Sequence, residues 1–226
     1  MPNVFVFTID QVASRSGTDQ VPVLLTNLKD LPTVIPFSRT VGDEVQGVLD
    51  DPAAAVEVLR RVLAEDNWHT GIGIGPLKAE DRNLRRSADG TSASFALARE
   101  AVEAAKKKPG RAQVAVRAGG PDDLADDSEA SADGSPTGEP STPASPAAHL
   151  GALLDLWAGV VGQRTASQRE IIAAANAHPN ATQAELAKTL GMTQQGVAKS
   201  LAASLWRQER GILPLVERLF SEAAGT

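Results

Sequence analysis

The sequence predicts an α+β fold in which an antiparallel sheet with helices is followed by a separate all-α domain. Three observations support this prediction. Strand-like and helix-like periodicity alternate over residues 1–118 in the order βαββαβ, with an αβ pair appended, which is typical of a ferredoxin-like sheet. Residues 119–148 are rich in Pro, Gly, Ser and acidic side chains. Residues 149–226 carry only helical patterns, so we expect three segments with these bounds.

Alternation and helical spacing predict the elements of the first segment. They are strands over 3–9, 33–40, 45–49, 68–75 and 113–116, and helices over 18–31, 51–64 and 91–108. We expect the helices to cover one face of the sheet. The run His69 to Gly75 alternates Gly with Ile, which predicts a strand whose glycine face lets a helix approach closely. The same run lacks the spacing of a phosphate-binding loop.

The charge of the chain is concentrated in its middle. The 226 residues have a formal net charge of -6 and contain no cysteine, which excludes disulfides and Cys-based zinc sites. Residues 1–120 hold fifteen basic and fifteen acidic side chains, residues 121–148 hold only seven acidic ones, and residues 149–226 hold seven basic and six acidic ones. The acidic segment cannot bury enough apolar surface to fold, so we interpret it as a disordered tether. The alternative is an acidic mimic of DNA that competes for a basic face.

The residue pattern of the last segment, 149–226, predicts five helices and no β-wing. Apolar spacing indicates a helix over 149–161, a capping box opens another at Thr165, and a short break over 207–211 precedes a helix over 212–223. The first and last of these helices are apolar enough to pair between two protomers, which favours a homodimer. Alternatively, both helices close the core of a monomer.

Residues 182–201 have the pattern of a helix, a tight turn and a second helix. Thr182 and Glu185 form a capping box, Gly191 suits the positive φ of the turn, and Met192 is expected to plug the corner. Thr193 caps the second helix, whose inner face carries Val197 and Leu201. The pattern resembles the bacterial helix-turn-helix.

The outward side chains of this motif suit contacts with double-stranded DNA. Gln pairs with adenine in the major groove, and Thr, Ala and Lys suit methyl, base or phosphate contacts. The predicted DNA-binding residues are Thr182, Thr193, Gln194, Gln195, Ala198 and Lys199. The alternative is an ordinary two-helix corner of an all-α domain. Gly196 lies inside the second helix and weakens it by roughly 1 kcal/mol relative to Ala.

Three carboxylates are candidates for a metal site in the first segment. Asp10 ends the first strand, and Asp43 and Glu44 lie at the tip of the hairpin. Carboxylates that meet at a sheet edge can hold Mg²⁺, which prefers oxygen ligands and often binds phosphates. The alternative is a solvated turn in which Asp43 caps backbone amides. No catalytic residue is predicted.

Several blocks resemble the SatD-like family. Thr8-Ile9-Asp10-Gln11-Val12-Ala13-Ser14-Arg15 is similar to its "GDIVGSR" opening, and Val41-Gly42-Asp43-Glu44-Val45-Gln46-Gly47 is similar to its "GDEFQG" hairpin. Gly71 to Gly75 and Phe95 to Ala101 resemble later blocks, and the family also ends in a helix-turn-helix. The resemblance implies a first domain similar to the nucleotidyl-cyclase and GGDEF palm. It also implies that Asp10 and Asp43 bind metal, with Glu44 beside them.

These observations together predict a dimeric, cytoplasmic DNA-binding protein that regulates transcription through a palm-like sensory or assembly domain. No apolar run is long enough to span a bilayer and no signal peptide is visible, so we expect no membrane association. One alternative is a nucleotide-binding or cyclase-like enzyme that uses Mg²⁺ and a nucleotide at Asp10 and Asp43. Another is a scaffold that organises partner proteins through the acidic tether.

Overall fold

The structure, a computed structural model, describes residues 3–12, 17–110, 113–119 and 145–225. Within these ranges the protein has an α+β fold of five strands and eight helices. The strands are β1 (Asn3–Gln11), β2 (Ile35–Arg39), β3 (Glu44–Leu49), β4 (Trp68–Pro76) and β5 (Val114–Ala118). The helices are α1 (Val21–Leu28), α2 (Pro52–Glu65), α3 (Ala93–Lys106), α4 (Pro146–Gly162), α5 (Ala166–Ala177), α6 (Gln183–Leu190), α7 (Gln194–Ala203) and α8 (Trp206–Ala224).

Every strand and helix predicted for the first segment is present, but the prediction of an antiparallel sheet is wrong for one pair of strands. The strand order is β2-β3-β1-β4-β5, and β1 runs antiparallel to both β3 and β4. β5 runs parallel to β4. The helix α3 lies between these two strands in the chain and returns the backbone to the end of the sheet where β4 began. A crossover helix of this kind produces a parallel pair, so the sheet is mixed.

Helices cover both faces of the sheet, not one face as predicted. Phe5, Phe7 and Ile9 of β1 lie in a core shared with α1, α2, α4 and α8. Val4 and Val6 lie on the opposite face, in a core shared with α3. A strand covered on both faces is a continuous apolar run, and residues 4–9 of β1 are all buried.

The predicted glycine face of β4 is confirmed. A Cβ atom added to Gly71 would lie 2.2 Å from the backbone nitrogen of Val102, and one added to Gly73 would lie 2.2 Å from the carbonyl oxygen of Ser94. Both contacts are to the backbone of α3. The missing side chains therefore let α3 lie directly on the centre of the sheet.

The five predicted helices of the last segment are present, but the predicted break over 207–211 is wrong. The interruption lies earlier, at Leu205, which has a left-handed backbone with a φ of 55°. From Trp206 the helix α8 continues to Ala224 with Pro214 inside it. A non-glycine residue seldom adopts positive φ, so sequence patterns place no break at a leucine.

The helices α4 and α8 pack against the sheet. The rings of Phe5 and Phe220 meet edge to face with centroids 5.0 Å apart, and the Asn3 side-chain amide donates to the carbonyl oxygen of Ala224 at 3.1 Å. The apolar faces of both helices, which include Trp157, are therefore buried within one chain. The homodimer and the separate terminal domain stay predictions.

Three helices of the last segment have a small core of their own. This core consists of Ile171, Ile172, Ala175, Leu186, Ala187, Val197 and Leu201, which come from α5, α6 and α7. The acidic tether lies almost wholly outside the described residues, as does the part of the first family block from Ala13 to Arg15. No helix in the described ranges combines the length and apolarity that crossing a bilayer demands.

Candidate nucleic-acid interface

The first helix of the predicted motif begins with the predicted capping box. The Thr182 backbone N–H donates to the Glu185 carboxylate at 2.7 Å, and the Glu185 backbone N–H donates to the Thr182 hydroxyl oxygen at 3.3 Å. The backbone bond from Thr182 lowers the pKa of Glu185, and the Thr182 hydroxyl, which also donates to this carboxylate, lowers it further. The box therefore holds the start of α6 with both hydrogen-bonding functions of the Thr182 hydroxyl in use.

A tight turn then directs the chain into α7. Gly191 has a φ of 63°, as predicted, and the Met192 backbone N–H donates to the Ala187 carbonyl at 2.9 Å. The hydroxyl of Thr193 accepts from the Gly196 backbone N–H at 3.0 Å, which confirms Thr193 as the cap of α7. The angle between α6 and α7 is thus held by backbone bonds at the turn and by the apolar core beneath it.

Met192 does not plug the corner as predicted. Its side chain is 37% exposed, and the small core under α6 and α7 is closed instead by Ala187 and Val197. Because Ala187 is small, the two helices meet without needing a long side chain between them. Met192 is therefore an apolar group on the outer surface of the motif.

The predicted base-reading side chains all lie on the outside of the motif. Gln194, Gln195 and Lys199 are exposed, and Ala198 is half-buried. Within the described residues, neither glutamine side chain has a hydrogen-bond partner and Lys199 has no ion pair. Thr193 is also exposed, and its oxygen accepts the capping bond, so its hydroxyl hydrogen has no acceptor among the residues that the structure describes. The outward face of α7 is therefore polar, and its glutamine and lysine side chains make no hydrogen bond or ion pair with the described part of the protein.

Two arginines beside the motif were missed at the sequence level. Arg207 and Arg210 are exposed in the first turns of α8, and Arg207 lines the same cleft of about 390 Å³ as Gln194. The Arg210 guanidinium lies 5.2 Å from the ring centroid of Trp206, whose indole N–H donates to the Asn176 side chain at 3.1 Å. The sequence signal for them was two basic residues, six and nine positions after the end of the motif at Leu201. Their place beside α7 depends on the chain reversal at Leu205.

The predicted carboxylates lie at the C-terminal end of β1 and in the turn that leads into β3. Asp10 is directly opposite Glu44 in the antiparallel register, and Asp43 is the preceding residue in the turn. Lys106 at the end of α3 holds Asp10 at 3.2 Å, and Thr40 donates its hydroxyl hydrogen to the Glu44 carboxylate. The cluster therefore has protein partners for two of its three acids.

Burial dominates the electrostatics of this cluster. It raises the pKa of the Asp10 carboxyl, and the negative charge of Asp43 adds to that rise while Lys106 opposes it. Burial also lowers the pKa of His69, which pairs with Asp10 in the sheet register, and the Asp10 charge opposes that change. Within the described residues, no three His, Cys, Asp or Glu side chains come together in a way that would hold a metal ion. The metal site stays a prediction.

Comparison with known proteins adds no relative. No family model matches the chain, and neither a curated protein nor a solved structure matches it. The resemblance to the SatD-like family therefore stays a prediction that depends on the quoted motifs alone.

Proposed function

We propose that this protein binds double-stranded DNA through α7 and acts as a transcriptional regulator. The observation that supports this most strongly is the exposed polar face that Gln194, Gln195 and Lys199 form on α7. The first turn of this helix is capped by Thr193, and its direction is set by the turn at Gly191. A recognition helix inserts its first turn into the major groove, where glutamine amides pair with adenine. Gln194 and Gln195 occupy that first turn.

Phosphate contacts position such a helix on the duplex, and cations beside α7 are available for them. Between residues 182 and 210 the chain carries four basic and two acidic side chains. One of the acids, Glu209, is already paired with Arg164 at 2.5 Å. Lys188, Lys199 and the two exposed arginines of α8 are thus available to phosphates. Each phosphate contact adds about 0.9 to the slope of log affinity against log salt.

The modest number of cations favours a pair of protomers on one site. A homodimer doubles the phosphate contacts and presents two recognition helices to successive major grooves, roughly 10 base pairs apart. In this proposal the first segment, with its five-stranded mixed sheet, supplies sensing or assembly. A footprint on selected DNA tests the pairing, because two half-sites one turn apart are expected for a dimer and a single half-site for a monomer.

The test of DNA binding begins by selecting bound fragments from a genomic library with the whole chain. Gel shifts on a selected fragment then compare Gln194→Ala and Lys199→Ala with the wild-type protein. We expect Gln194→Ala to cost about 1–3 kcal/mol and to relax specificity at one base pair. Lys199→Ala should weaken binding to all sequences and reduce the salt slope by about 1.

Matched controls come from exposed residues of the same types elsewhere. Gln163 follows α4 and Lys29 follows α1, and both are exposed. Gln163→Ala and Lys29→Ala should leave the affinity unchanged. Unaltered affinity for both α7 variants at low salt, with melting curves like those of the wild type, would refute the assignment of α7 as the DNA-binding element.

A second candidate function is Mg²⁺-dependent nucleotide binding at the carboxylate cluster. It is favoured by the proximity of Asp10 and Asp43, whose mutual repulsion a divalent cation would relieve. Isothermal titration with Mg²⁺ and a nucleoside triphosphate tests it. Binding that disappears in Asp43→Asn would support this function, and the absence of binding to the wild-type protein would exclude it.

A further inference from the structure

A cavity lies at the junction between the sheet-packed part of the protein and the first helix of the three-helix unit. It has a volume of about 340 Å³ and is bounded by the last turn of α2, the end of α4 and one side of α5. Small-molecule sites have volumes of about 300–1,000 Å³ and are lined mainly by apolar side chains. Here the apolar walls are Ala64, Val161, Ile172 and Ala173.

The basic side chains around this cavity are already paired with carboxylates of the protein. Arg164 is paired with Glu209 at 2.5 Å and donates to the Ser204 carbonyl at 3.1 Å, and Arg169 is paired with Asp66 at 2.7 Å. Two further lining residues, Glu65 and Glu170, have no cationic partner among the described residues. An anionic ligand would therefore find no unpaired cation among the described lining residues, and it would be repelled by the two glutamates. This arrangement favours an uncharged ligand.

Hydrogen-bond donors without partners lie at the same walls. The Arg169 Nε is buried and has no acceptor within the part of the chain that the structure describes. Asn176 uses its side-chain oxygen to accept from Trp206, so its amide N–H₂ remains unbonded within the described ranges. A buried donor such as the Arg169 Nε carries a cost until an acceptor reaches it. A ligand with one acceptor oxygen would supply it.

We propose that this cavity binds a small, uncharged apolar molecule that carries one acceptor oxygen. The ligand would lie between α2, which is fixed on the sheet, and α5, which supports α6 and α7. Its occupancy would add contacts across a junction that the Asp66–Arg169 ion pair now bridges. Any consequence for DNA affinity depends on the proposed function above, but the binding itself does not.

Fluorescence titration with prodan, an uncharged naphthalene with one ketone oxygen, tests the site on the full-length protein. Prodan emission shifts in apolar surroundings, so saturable binding is directly visible. Ala64 and Ala173 are exposed alanines that line the cavity from α2 and α5. Ala64→Phe and Ala173→Phe should fill it and each weaken prodan binding by about tenfold or more, equivalent to roughly 1.4 kcal/mol. Ala53→Phe, at the exposed start of α2, is the matched control and should leave the affinity unchanged.

The preference for an uncharged ligand is tested with an anionic probe. 8-Anilinonaphthalene-1-sulfonate is an anionic naphthalene of similar size, and we expect it to bind at least about tenfold more weakly than prodan. Equal or tighter binding of the sulfonate would overturn the uncharged class. Absence of saturable prodan binding, or equal affinity in both cavity variants and in Ala53→Phe, would overturn the site. Neither result would bear on the gel shifts, which test DNA binding separately.

Discussion

The close approach of α3 to β4 is tested most directly by Gly73→Ala. The new Cβ atom would lie 2.2 Å from the Ser94 carbonyl oxygen and 2.5 Å from the Ala98 backbone nitrogen. Ordinary carbon contacts begin near about 3.5 Å, so α3 would have to move by roughly 1 Å from the sheet. Neither contacted atom can rotate away, because both belong to the helix backbone.

The expected cost follows from this geometry. Overpacking of a well-packed core costs about 1–3 kcal/mol, and a collision with two backbone atoms of α3, neither of which can rotate away, corresponds to the upper end of that range. We therefore expect Gly73→Ala to reduce the free energy of unfolding by about 3 kcal/mol. Urea denaturation followed by far-ultraviolet circular dichroism measures this change.

A second glycine provides the control. Gly159 lies in the interior of α4, and a Cβ atom added there meets no atom within 4 Å. Gly159→Ala should stabilise the protein by about 0.5–1 kcal/mol, since Ala loses less conformational entropy in a helix. If Gly73→Ala unfolds within about 0.5 kcal/mol of the wild-type protein, α3 does not rest on the glycine face and the reasoning fails.

Two further predictions concern ionisable side chains. Because the folded-state pKa of Asp10 is raised, its contribution to stability falls as pH rises through its unfolded and then its folded pKa. Asp10→Asn should therefore gain stability relative to the wild type between about pH 3 and pH 7 in thermal melts, and a constant difference would contradict the raised pKa. Asp66→Asn keeps a residue that tolerates the left-handed backbone (φ 54°) but removes the ion pair to Arg169. It should lower the free energy of unfolding by about 1–2 kcal/mol in urea titrations, and an unchanged midpoint would mean that the pair does not bridge the junction.

Helix caps and turns could be predicted from the sequence wherever the residues that form them are neighbours in the chain. The capping boxes at Thr165 and Thr182, the left-handed turn at Gly191 and the cap at Thr193 all depend on residues within three or four positions of one another. The glycine face of β4 was predictable for a related reason. Because side chains alternate between the two faces of a strand, an alternation of Gly and Ile places all the glycines on one face, and this does not depend on which element packs there.

The errors arose where partners are distant in the chain. The parallel pairing of β5 depends on where α3 returns the backbone, and the coverage of both sheet faces depends on α4 and α8, which lie beyond the acidic tether. The position of the Arg207 and Arg210 side chains follows from the positive φ of Leu205, a conformation that leucine does not signal. The partner of Asp10, Lys106, is 96 positions away in the chain, and no local pattern indicates it.

The sequence by itself determined the order and type of the strands and helices, the ends of the capped helices and the polar outward face of α7. Each of these follows from periodicity or from hydrogen bonds between near neighbours. Only the tertiary structure decided which apolar faces meet, which carboxylates acquire a cation, and where a cavity remains between α2 and α5. Those outcomes are set by packing among elements far apart in the chain, because an apolar face specifies that it will be buried but not what will cover it.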